Sequence, residues 1–153
     1  MAQQAAARPE RSGSPDPSPV DGRLRFAAIV FAGGLALHTA DHLRRGVGVL
    51  TPEVLWGGTV LTVAGVITIA AVLARHRLAA KVAVVVGFYS AVSVAASHLL
   101  PRWSSLSDAF PGSGVDALSW VAVSVEIAGA LALGAAATAA LRRRRQPDPR
   151  GGH

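Results

Sequence analysis

Four long apolar stretches, at about 24–45, 53–74, 79–100 and 115–141, account for most of the chain, with only short polar connections between them. They limit the fold more than any other feature. At ~1.5 Å of rise per residue, each is long enough as an α-helix to cross a hydrocarbon core ~30 Å thick. A helix also satisfies its own backbone N–H and C=O groups where no water can. The sequence therefore predicts an all-α, four-transmembrane-helix bundle over residues 23–141.

Composition supports that class. The chain is 51% hydrophobic, 16% charged and 5% aromatic, too apolar and too poor in large core aromatics for an ordinary soluble domain. It has no cysteine, which excludes disulfides, thiol catalysis and iron–sulfur clusters. Any metal would have to be held by His and carboxylate groups. The net charge of +6 does not point to nucleic acid, because the basic residues sit in short flanks without a basic face interleaved with stacking aromatics.

The flanks give the segments their ends. Residues 1–22 carry Pro9, Pro15, Pro17 and Pro19 among Ser, Gly, Asp and Arg, and read as a disordered tail. Arg44, Arg45 and Gly46 suit the end of the first helix. Thr51, Pro52 and Glu53 offer an N-cap, a proline at the first helical position and an acid in the first turn of the second. Pro101 closes the third helix, and Ser113-Gly114-Val115-Asp116 resembles a capping box ahead of the fourth. Residues 142–153 form a basic tail.

Arg and Lys fix the expected orientation. Arg8, Arg11, Arg23 and Arg25, then Arg75, Arg77 and Lys81, then Arg142, Arg143, Arg144, Arg145 and Arg150 fall on one side; Arg44, Arg45 and Arg102 fall on the other. The positive-inside bias makes both termini cytoplasmic in a multi-pass plasma-membrane protein. The run Arg142 to Arg145 serves as a topology anchor and is also suited to anionic lipid. A signal peptide is the competing reading of the first segment, with Gly34-Leu35-Ala36 as a weak cleavage site.

Charge inside the apolar segments marks the candidate site. His38, Asp41 and His42 share one helical face through offsets of three and four, and Gly34 continues that face one turn deeper, leaving room for a close neighbour. With helix one running outward from Leu24, His38 lies about 21 Å along the helix, in the outer half of the bilayer. His98, near the outer end of helix three, can reach the same level, and Glu126 on helix four lies somewhat deeper. Ionisable groups at such depths cost a few kcal/mol each and require partners. Glu126 has no local polar partner, so one on another helix is expected.

Around these five residues, Tyr89, Ser93 and Ser97 on helix three and Ser119 on helix four read as pocket lining. Trp56, Trp103 and Trp120 read as an interfacial aromatic belt, or, with the loop from Ser104 to Gly114, as a lid. The donor set suits zinc or iron, although His-x-x-Asp-His matches neither the zincin spacing nor the Glu-x-x-His pairs of di-iron bundles. Haem is less well matched, because two carboxylates lie close and no clear axial pair exists. Gly58, Thr62 and Gly65, with Gly129 and Gly134, allow close helix approach, and one such face would serve a homo-oligomer.

The segments His38-Thr39-Ala40-Asp41-His42, Ser97-His98-Leu99-Leu100-Pro101-Arg102-Trp103 and Leu106-Ser107-Asp108-Ala109-Phe110-Pro111 resemble small four-helix membrane proteins of high-GC Gram-positive bacteria. That resemblance covers about 24–141 and implies no activity and no catalytic residues. The leading expectation is an outer-leaflet site for a metal ion, protons or a small ligand at His38, Asp41, His42, His98 and Glu126. As a metalloenzyme it would use Glu126 or Asp41 as general base, but nothing marks a substrate. One alternative is an accessory or structural membrane protein whose polar residues fix helix packing. Another is a proton-coupled transporter subunit, which would need a dimer to build a pathway.

Overall fold

The computed structural model describes residues 19–146. Within them the chain forms α1 (Pro19–Arg45), a single 3-10 turn (Val47–Val49), α2 (Pro52–Leu73), α3 (Ala79–His98) and α4 (Ala117–Arg145). All four α-helices are long and apolar enough to cross a membrane.

The ends follow local chemistry and revise several boundaries. α1 begins at Pro19, inside the stretch expected to be a disordered tail, because proline at the first helical position gives up an N–H that would be unpaired anyway. Residues 1–18 of that tail lie outside the described residues. Thr51 caps α2 by accepting from the Val54 N–H at 3.2 Å, with Pro52 next in line. α3 stops at His98, ahead of Leu100 and Pro101. α4 is capped by Asp116, which accepts from the Ser119 N–H at 3.1 Å, and not by Ser113, whose hydroxyl donates to the Phe110 carbonyl at 2.8 Å. α4 continues through Arg145, so Arg142 to Arg145 are helical and belong to its last turn.

α4 packs along both α1 and α3, and α2 packs more lightly against α1 and α3. The contacts are made by small residues. A Cβ at Gly34 would stand 2.7 Å from the Glu126 Cα, and one at Gly129 would stand 2.9 Å from the Phe31 Cα, so glycines from both helices bring α1 and α4 into backbone contact. Gly87 meets Gly134 in the same way, with 2.7 Å to its backbone nitrogen, and joins α3 to α4. Close backbone approach of this kind supplies dispersion where lipid removes the hydrophobic driving force. Gly129 and Gly134 are thus used within the chain, and a Cβ at Gly65 would stand 3.2 Å from Leu35 Cδ2. Phe31 and Leu133 fill the space between layers of Ala28, Ala83, Ala130 and Ala137.

The connection between α3 and α4 folds back over the helix ends. The Phe110 N–H donates to the His98 carbonyl at 2.9 Å, and the Phe110 ring is buried against Val94 and Val123. Thr51 Oγ1 donates to the Ser105 carbonyl, tying the start of α2 to the same loop.

Candidate functional site

The offset of four between His38 and His42 on α1 turns both rings toward α3, whose last residue is His98. Their ring centroids lie 4.5 Å (His38–His42), 4.8 Å (His38–His98) and 5.6 Å (His42–His98) apart. One ligand nitrogen from each lies within 4.8 Å of the other two. His38 and His98 are buried and His42 is half-buried.

His38 and His98 each meet an oxygen acceptor at Nδ1, and His42 meets a guanidinium there. Glu126, 2% exposed on α4, hydrogen-bonds through its carboxylate to His38 Nδ1, which is possible because Gly34 lets α4 approach one turn below. His98 Nδ1 donates to the Asp108 main-chain carbonyl at 3.0 Å and lies 3.5 Å from the Asp108 carboxylate. His42 Nδ1 lies 3.9 Å from that same carboxylate and accepts from Arg45 Nη2 at 3.1 Å. With Nδ1 of His38 and His98 occupied by acceptors, Nε2 is the nitrogen left for a ligand, whereas His42, accepting at Nδ1, carries its proton on Nε2 when neutral. His38 Nε2 is buried with no hydrogen-bond partner. An orphaned ring nitrogen facing two other imidazoles is a costly arrangement in a bundle interior, and a cation would remove the cost.

The cluster could hold a transition-metal ion. Tetrahedral zinc at Zn–N ~2.0–2.1 Å would set its ligand nitrogens ~3.3 Å apart. The rings would need a modest inward swing from their present spacing. Imidazole nitrogen is the donor that zinc, copper, iron and nickel share, and the acceptors behind His38 and His98 fix their tautomers and raise their basicity.

Asp41 does not join this set. It accepts from Arg44 Nη2 at 2.7 Å and lies 3.2 Å from Arg45 Nε, so both of its oxygens face guanidinium groups. Arg44 also reaches Asp116 at 2.8 Å and the Ser119 hydroxyl at 3.2 Å, and Arg45 reaches Asp108 at 2.5 Å. The start of α4 and the loop are therefore both tied to α1 through Asp41. The Ser119 backbone N–H, helped by the Arg44 guanidinium, holds the Asp116 carboxyl below the usual carboxylate range. Arg45 Cζ lies 5.2 Å from the Phe110 ring centroid, and that ring packs 4.8 Å from His98 and edge-on to Trp120 at 5.4 Å. Phe110 thus shields the cluster from above.

Other expected lining residues lie elsewhere. Tyr89 and Trp56, at 66% and 70% exposure, point off the outer faces of α3 and α2, because Gly87, Ser90, Ala91 and Val94 form the inward stripe of α3. Ser93 and Ser97 are half-buried and make no hydrogen bond to the imidazoles. Trp103 is exposed and donates through its indole N–H to the Ala96 carbonyl at 2.9 Å. Ser119 is fully buried and serves the arginine network.

Sequence reasoning assigned Asp108 only to a lid and gave Phe110 no separate role. Asp108 also lines a cavity of about 340 Å³ between the 3-10 turn, Thr51 and the loop, which connects the acid to the surface. No protein-family model, no curated protein and no solved structure matches this chain.

Proposed function

We propose that the chain is a plasma-membrane four-helix bundle, with cytoplasmic termini, that binds a transition-metal ion at its outer end through His38, His42 and His98. The observation that carries this reading is the buried, unpartnered Nε2 of His38 in a cluster where one ring nitrogen from each of His38, His42 and His98 lies within 4.8 Å of the others. Glu126 orients His38, and Asp108 serves His98 and His42 from the loop. For His42 to offer Nε2 to an ion its proton would have to sit on Nδ1, which accepts from Arg45 and lies 3.9 Å from the Asp108 carboxylate. The cavity beside Asp108 is the route of entry from the aqueous side. Three imidazoles with centroids 4.5–5.6 Å apart suit a bare ion better than a haem, which would need room between two of them. Because ligating imidazoles must be neutral, affinity falls as pH is lowered.

Metal analysis of the detergent-purified chain tests this directly. Stoichiometric zinc, copper or iron is expected in the parent, and none in His38→Ala or His98→Ala. Metal absent from the parent after loading, with melting unchanged in both variants, would leave the histidines a packing role only.

A further inference from the structure

At the opposite end of the helices from the histidines, Arg25 of α1, Arg144 of α4, and Arg75 and His76 of the turn after α2 surround a cavity of about 140 Å³. Its floor is apolar, with Leu24 and Val72 buried beneath the charged rim. Among the described residues, none of the three arginines is ion-paired with a carboxylate. The volume has room for several waters, and so for a small anion.

A second observation comes from the backbone. The turn after α2 is a Schellman motif: the His76 N–H bonds the Ala71 carbonyl at 2.9 Å, and the Arg75 N–H bonds the Val72 carbonyl at 3.1 Å. That motif needs a left-handed residue, usually glycine, and here Arg75 takes it at φ 55°, the one non-glycine with positive φ among the described residues. The strain places a guanidinium at the cavity rim where glycine would relieve it. His76 Nδ1 accepts from the Leu78 N–H at 3.3 Å, which leaves its Nε2–H free to donate.

We propose that this cavity binds a phosphate-bearing anion, with Arg25, Arg75, His76 and Arg144 as its donors. In the orientation given above it faces the cytoplasmic leaflet, where basic pockets between helices take anionic headgroups. The chemistry is the same for a phospholipid headgroup and for a soluble phosphate. The site is independent of the histidine cluster, and neither stands or falls with the other.

The test uses the full chain in phosphatidylcholine nanodiscs containing a minor fraction of phosphatidylglycerol, with retained lipid counted by mass spectrometry after transfer to detergent. The parent and Arg77→Gln, which removes a neighbouring charge outside the cavity lining, should each keep a single phosphatidylglycerol. Arg75→Gly and Arg144→Gln should each lower retention about fivefold. Arg75→Gly should melt no lower than the parent, so its loss of ligand is not a loss of fold. Inorganic phosphate that raises the melting temperature of the parent but not of these two variants, without lipid retention, would support the site and make its ligand soluble. No retention and no phosphate effect in the parent, or an equal loss in Arg77→Gln, would overturn it.

Discussion

Glu126 shows how one residue acquires a role from its surroundings. Its sequence neighbours are apolar and its carboxylate is 2% exposed, yet it meets His38 Nδ1 across the α1–α4 contact. A buried acid in that position orients the ring and strengthens the opposite nitrogen as a donor. Glu126→Gln keeps the shape but removes the charge. It should weaken metal binding by about 10–100-fold while leaving the three imidazoles in place, as competition with a chelator of known affinity would show. Asp41 illustrates the converse. It was read as a ligand because it lies between two histidines, but Arg44 and Arg45 follow at i+3 and i+4, the spacing at which opposite charges pair on a helix. The sequence already contained that signal.

At the level of helices, the glycine positions determine which side chains can meet. Gly34 lies one turn below His38, and its reading as a point of close approach agrees with the structure, where α4 crosses at Glu126. Gly34→Ala would drive a methyl to 2.7 Å from the Glu126 Cα, backbone that cannot swing aside. The variant should lose about 1–3 kcal/mol of unfolding free energy and, by separating Glu126 from His38, lose metal affinity as well. Steric unfolding monitored by circular dichroism alongside metal content would reveal both. Tyr89, Ser93 and Ser97 recur at i, i+4 and i+8 like a polar face, whereas the packed face of α3 includes Gly87, Ser90, Ala91 and Val94. In lipid, small residues mark the interface more reliably than polar ones.

Across the whole molecule, the two ends of the helices differ in chemistry. One end gathers His38, His42, His98, Glu126 and Asp108 under Phe110, and the other gathers Arg25, Arg75, His76 and Arg144. The number and class of the helices were legible because hydrophobic length is a local property. The meeting of His38, His42 and His98 was legible in outline, since offsets along α1 and depth along α3 put them at one level. Asp108 was harder to see, because a loop residue's contacts depend on how the chain folds back, and no period in the sequence reports that. The central claim is that the histidine end holds a metal. X-ray absorption at the metal edge of the loaded protein tests it most directly: the account predicts three imidazole nitrogens, at ~2.0–2.1 Å if the ion is zinc. A first shell of oxygens without imidazole scattering would contradict it.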